Sequence, residues 1–222
     1  MKINELPTPC YVIDENIIEE NCKVLADVMK KTGCHVLLAQ KAFSNYALYP
    51  LIGKYLSGTT ASGLYEARLG REEMGRENHV FAPAYKDEDM DELVKICDHI
   101  VFNSISQLEK HKEKCRNVSI GIRVNPEFST QNGHEIYDPC GKGSRLGVTA
   151  NLLRTADLTG IDGLHFHTLC EQNSDDLKKT LDVVEEKFDF LFRKVKWVNF
   201  GGGHHITRKD YEWNFYVTVL PI

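Results

Sequence analysis

Short runs of apolar and β-branched residues alternate along the chain with longer stretches in which apolar positions recur every three or four residues. The first pattern is that of a buried strand, the second that of a helix with one packed face. Strands are predicted at HVLLAQK (35–41), GTTAS (58–62), HVFAPA (79–84), HIVFNS (99–104), VSIGIRVN (118–125), GLHFHT (163–168) and VKWVNFGG (195–202). The clearest helix runs from Ser174 to about Phe192, where Leu177, Leu181, Val184, Phe188 and Leu191 form one stripe behind a serine cap. Ser104 followed by Gln107 predicts a capping box after the fourth strand. An earlier helix is expected to bury Ile17, Ile18, Cys22, Leu25, Val28 and Met29. The stretch NPEFSTQNGHEIYDPCGKGSRLG (125–147) is too rich in Gly, Pro and Asn for regular structure, and irregular segments of that length often carry function.

Strands and helices in strict alternation predict βα units around a parallel sheet, and seven such units suggest an incomplete α/β barrel of the eight-stranded kind. Catalytic groups of a barrel sit at the C-terminal ends of its strands. An open doubly wound sheet is the rival architecture, but no glycine fingerprint follows the first strand, which removes support for its dinucleotide-binding version.

Composition narrows the partners. The formal net charge of -5, with dispersed basic residues, lacks the cationic footprint that nucleic acid requires. The N-terminus MKINELPTPCYVID has no apolar signal core and no stretch is long and apolar enough for a bilayer span, so a cytoplasmic address without membrane association is expected. The 7 cysteines are an odd number without a CxxC pair, as expected of free thiols in a reducing compartment, most of them small core residues.

Candidate chemistry gathers at predicted strand ends. Lys41 closes the first strand, where partial desolvation would favour a neutral, nucleophilic amine; alternatively it caps the strand in solvent. His165 and His167, two apart on one strand, face the same side and could bind a metal or place one ring against a planar cofactor; a core histidine beside a loop histidine is the plainer alternative. Gly201, Gly202 and Gly203 follow the seventh strand, where barrels commonly bind phosphate and where backbone amides can approach an anion closely. Glu66 and Arg145, at other strand ends, could orient polar cofactor atoms or be solvated charges.

With these residues in view, TPCYVID, LLAQKAFS, GTTASGLYEARLG, GIRVNPE, GKGSRLGV, GLHFHTLCE and NFGGGHHITRKDY, spanning residues 7 to about 211, resemble carboxynorspermidine decarboxylases, relatives of ornithine and diaminopimelate decarboxylases and of alanine racemase. The resemblance implies pyridoxal 5'-phosphate joined to Lys41 as a Schiff base, with His167 stacked on its ring. It places Gly201, Gly202 and Gly203 at the phosphate and Glu66 and Arg145 near the cofactor. The implied reaction is decarboxylation of carboxynorspermidine or carboxyspermidine in polyamine biosynthesis, by an enzyme expected to be a homodimer.

The resemblance implies a longer chain that continues through an eighth strand into a C-terminal β domain. Here Phe215, Val217 and Val219 alternate where a helix should begin, so residues 1–211 read as the cofactor-binding barrel and 212–222 as an atypical tail, as a frameshift or early stop would leave. Weak or absent activity of the chain alone is the expectation. The competing functions are a non-catalytic pyridoxal phosphate-binding barrel and a metal-dependent barrel hydrolase using His165 and His167.

Overall fold

A computed structural model of the chain describes residues 3–131, 136, 138–204, 206 and 208–212. Its strands are β1 (Leu37–Ala39), β2 (Gly58–Ala61), β3 (Glu77–Phe81), β4 (His99–Phe102), β5 (Ser119–Arg123), β6 (Gly163–His165) and β7 (Trp197–Asn199). They form one sheet in sequential order, each neighbouring pair parallel. Among the described residues the sheet does not close on itself, which makes it the incomplete barrel expected from the sequence. The helices are α1 (Glu15–Thr32), α2 (Tyr49–Ile52), α3 (Leu64–Leu69), α4 (Asp87–Ile96), α5 (Ile105–His111), α6 (Ala150–Leu153), α7 (Ser174–Lys187) and α8 (Asp189–Phe192).

Alternation along each strand sorts side chains onto two faces. Val80, Ile100, Phe102, Ile120, Ile122, Leu164 and Phe166 face the helices and pack with Met90, Leu93, Leu108, Leu177 and Val184 into the main core. A smaller cluster of Cys22, Leu48, Ile52 and Leu56 lies beneath β1. The opposite, concave face carries His79, Phe81, His99, Arg123, His165, Trp197 and Asn199. Gly121 and Gly163 leave room there for the Trp197 indole, since a methyl added at either would come within 2.3 Å or 2.1 Å of it.

All seven strands fall inside or beside their predicted segments, though β1, β6 and β7 are three residues each. Helix details depart further from the sequence reading. The cap of α7 is Asn173, whose side chain accepts from the Ser174 amide at 2.8 Å; Ser174 is itself the first helical residue. The predicted helix breaks at Phe188 into α7 and α8. Ser104 caps α5 by accepting from the Gln107 amide, but Gln107 reaches back to the amide of Asn103, one residue beyond a regular capping box. Ile17 is 60 % exposed, so of the stripe expected from α1 only Cys22 and Val28 are fully buried. All seven cysteines are free, but only Cys22, Cys97 and Cys115 are buried. No described helix is long and apolar enough to cross a membrane. The alternating tail of the sequence lies outside the described residues.

Candidate functional site

The C-terminal ends of β1, β5, β6 and β7 meet around His167. This residue lies two positions beyond β6 and is half-buried. Its backbone carbonyl accepts from Arg123 Nη2 at 3.1 Å. Its ring stands 6.2 Å from that of His165, centroid to centroid. Gly201 and Gly202 form the wall opposite. A methyl at Gly201 would press on the carbonyl of Phe166 and on Cα of His167, whereas one at Gly202 would sit 3.7 Å from Cε1 of the His167 ring.

The glycine turn is shaped by its backbone. Gly201 and Gly203 have φ of 71° and 94°, in the left-handed region that side chains disfavour. Asn199 fixes the turn by accepting from the Gly201 amide at 2.8 Å. That commits one of the three predicted phosphate-binding amides. The amides of Gly202 and Gly203 have no partner among the described residues. The Gly203 carbonyl accepts from the Gln172 amide at 3.0 Å, and Gln172 Nε2 donates to Thr130 Oγ1 at 2.6 Å, tying the glycine turn to the irregular segment after β5.

Lys41 lies in the turn after β1 and is exposed, which is the solvent-facing one of the two placements the sequence allowed. The ladder still reaches its neighbour, since the Gln40 amide donates to the Thr60 carbonyl at 3.2 Å. The Gln40 side chain is directed away from the concave face, toward Tyr49 and Gly70. Alternation turns Lys41 to the other side, and its charge acts on both His165 and His167. Glu66 and Arg145 lie at the same end of the sheet but are held elsewhere. Glu66 accepts from the Ser62 amide at 2.7 Å and its charge acts on Tyr49. Arg145 is exposed, with its carbonyl bonded to Asn103 Nδ2 at 2.8 Å.

The electrostatics of this end are one-sided. Burial, then the charges of Lys41, Arg123 and His204, push His167 down to about 4. Burial first, then Arg123, His167 and Lys41, push His165 well below the ordinary histidine range, although Asn199 opposes the shift. Asn199 lies alongside that ring without a well-formed hydrogen bond, for neither ring nitrogen of His165 has one. His204, which bridges to Gln172 in a parallel pair, is pushed to about 4 by burial. Burial lowers Arg123 to about 10. These shifts favour the neutral form of the histidines here at neutral pH.

Arg123, Asn199, Gln172 and His204 were not singled out in the sequence. For Arg123 a signal existed: a charged residue in the otherwise apolar strand VSIGIRVN. Among the described residues no group of three or more histidines, cysteines, aspartates or glutamates could hold a metal ion. Among the described residues, then, His165 and His167 have no further ligands of the kind a hydrolytic metal centre needs.

The chain spans about half the length of the curated relatives it matches. It is 44% identical over 212 residues to the carboxynorspermidine/carboxyspermidine decarboxylase of Campylobacter jejuni, a match covering 96% of this chain and 55% of the relative. It is 36% identical over 221 residues to the carboxyaminopropylagmatine decarboxylase of Synechocystis sp., covering 99% of this chain and 57% of that one. Among solved structures, carboxynorspermidine decarboxylase from Campylobacter jejuni, crystallised with norspermidine, superposes with a TM-score of 0.90 at 42% identity, covering 97% of this chain and 56% of that one. Diaminopimelate decarboxylase from M. jannaschi, at 19% identity and a TM-score of 0.71, shares the fold. No protein-family model matches the chain. The resemblance read from the motifs is thus matched by similarity along nearly the whole chain.

Proposed function

We propose that the chain forms the pyridoxal phosphate-holding portion of a decarboxylase acting on carboxynorspermidine or carboxyspermidine. The observation that carries this reading is the meeting of Lys41, a neutral His167 ring and a glycine turn with two amides unpartnered among the described residues, all at one end of the sheet. That cradle fits the cofactor's shape and charge. Lys41 Nζ is the amine for its covalent attachment, His167 offers an uncharged ring to its face, and the Gly202 and Gly203 amides suit its phosphate. Gly201 serves by setting the turn, with its own amide held by Asn199.

When bound, the cofactor supplies an electron sink for the pair released as carbon dioxide leaves. The chain's own residues bind and orient. An uncharged His167 avoids repulsion against a protonated pyridine ring, and the Lys41 and Arg123 charges favour an anionic phosphate. Gln172 ties the irregular segment to the turn and so keeps the phosphate end fixed. Glu66, which accepts from the Ser62 amide, and Arg145, anchored through its carbonyl with its side chain exposed, lie at the same sheet end, where they would orient polar cofactor or substrate atoms. Assembly as a homodimer belongs to the same reading and is checked by light scattering of the purified chain.

The test is Lys41→Ala. The parent chain with pyridoxal phosphate should develop the near-visible absorbance of lysine-bound pyridoxal, and the variant should not. An unchanged spectrum would assign attachment to another amine and overturn the reading of Lys41. Release of carbon dioxide from carboxynorspermidine by the parent chain supports the decarboxylase reading; cofactor binding without release is the outcome expected of this portion alone, and release by an extended chain then separates the decarboxylase reading from the non-catalytic alternative.

A further inference from the structure

Arg123 is the last residue of β5 and is 6 % exposed. Three elements hold it. On β3, the Phe81 ring lies under the guanidinium, with Cζ 4.8 Å from the ring centroid. On β6, His165 is its register partner across the sheet. Beyond β6, the His167 carbonyl accepts from its Nη2. No described carboxylate forms an ion pair with it, although burying a guanidinium without one is costly. Structural packing alone would be met more cheaply by an apolar side chain of similar volume.

We propose that Arg123 is a positioning residue for His167, clamping the backbone at residue 167 so that the ring faces the Gly201–Gly202 turn. The inference rests on the pyridoxal reading of this site and deepens it. The clamp acts on the main chain, so it fixes where the ring begins without occupying the space in front of it. The guanidinium also acts on the ring electrostatically. Together with Lys41 and His204, the other charged or titratable groups whose fields reach His167, it disfavours a proton there, and it acts in the same sense on His165. A charge-neutral, fixed ring is what stacking on a cationic heterocycle needs.

The experiment compares Arg123→Met and Arg123→Lys with the parent 222-residue chain. The first readout is the histidine side-chain titration followed by nuclear magnetic resonance without cofactor, with His167→Gln assigning the His167 signal. In Arg123→Met the His167 midpoint should move up from about 4, because one nearby cation is gone. In Arg123→Lys it should stay close to that of the parent, because the charge remains. The second readout is the affinity for pyridoxal phosphate by absorbance, which should weaken about tenfold in Arg123→Met and less in Arg123→Lys. Should Arg123→Met not fold, judged by circular dichroism, Arg123→Lys decides alone. Its affinity should still fall several-fold through loss of the planar clamp, and unchanged affinity overturns the proposal. An unmoved His167 midpoint in folded Arg123→Met overturns it as well. If the parent binds no pyridoxal phosphate while the midpoint moves as expected, the pyridoxal reading fails and the Arg123–His167 coupling stands. If the parent binds it and neither readout moves, the Arg123 inference fails alone.

Discussion

The two ends of the concave face are both rich in histidine, and they surround it with neighbouring charge of opposite sign. At the N-terminal end, His35 Nδ1 lies 2.9 Å from Glu77 Oε1, and His79 Nε2 lies 3.4 Å from the same carboxylate. The His79 and His99 rings stack with centroids 4.0 Å apart, and Trp197 meets His99 edge-on. Trp197 Nε1 donates to Ser119 Oγ at 2.9 Å, which in turn donates to Asp162 Oδ2 at 3.1 Å. This end carries its own carboxylates, although neither ring nitrogen of His79 nor Nδ1 of His99 has a well-formed hydrogen bond. At the C-terminal end the histidines face Lys41 and Arg123 and no described carboxylate pairs with either cation. One end sets carboxylates beside its histidines; the other holds positive charge that an anionic guest would balance.

The largest expected effect comes from disturbing the packed end. Gly163→Ala would drive a methyl to 2.1 Å from the Trp197 ring, which cannot retreat without losing its bond to Ser119. We expect a loss of about 2–4 kcal/mol, a fall in Tm of roughly 5–15 °C, in a thermal melt. Its counterpart at the open end is Gly202→Ala, where the methyl would make only an ordinary 3.7 Å contact with His167. Here Tm should stay within about 2 °C while affinity for pyridoxal phosphate drops. Equal losses of stability at the two positions would erase the distinction.

Acid separates the ends next. His79, His167 and His204 are each depressed to about 4, so between that pH and the ordinary value near 6.5 the unfolded chain binds more protons than the folded one. Their contribution is complete above pH of about 6.5 and is lost progressively as pH falls toward 4, so the melting temperature should decline across that window. For His79 burial dominates, the neighbouring His99 adds to the shift, and Glu77 opposes it. Glu77→Gln removes that opposition and should steepen the acid decline by on the order of 1 kcal/mol, read as a larger gap between melts at pH 5 and 7.5. A parallel offset at both pH values would show that Glu77 does not compensate the histidines.

The smallest effect is expected at the rim. Lys196 Nζ lies 2.6 Å from Asp162 Oδ1 but is 77% exposed, and Asp162 keeps its bond from Ser119. Lys196→Ala should cost less than about 1 kcal/mol in a denaturant titration. A larger cost would mean that the N-terminal end depends on its outermost charge.

The sheet was legible in the sequence because buried parallel strands leave nearly continuous apolar runs, such as HIVF in β4 and SIGIR in β5, separated by helices of contrasting period. Boundaries were less legible at the sheet margins. HVLLAQK yields only Leu37–Ala39 as strand, since among the described residues β1 has a partner on one side alone and its residues are half-buried. Ile17 looked like core because it follows the helical period, yet that part of α1 is not covered by described residues. The cap of α7 was missed by one residue because Asn173 and Ser174 are both good caps, and Asn173 also accepts from the Glu212 amide at 3.2 Å, a contact no local pattern reveals. Lys41, His167 and the glycines could be named from strand-end position and motif. The role of Asn199 could not, because its partner Gly201 is sequence-adjacent but the bond depends on the turn's left-handed backbone.

Trp197 bears on motion as well as on packing. By filling the hollows left by Gly121 and Gly163 while touching His99, it keys β4, β5, β6 and β7 together like a dowel through adjacent boards. Arg123, His167 and the glycine turn all ride on that stiffened plate. Lys41 does not; it hangs from β1 at the sheet margin, above the smaller apolar cluster. On the proposed reading, any displacement of the β1 margin relative to this plate would change the distance between Lys41 and the glycine turn while leaving Arg123, His167 and the turn in register with one another.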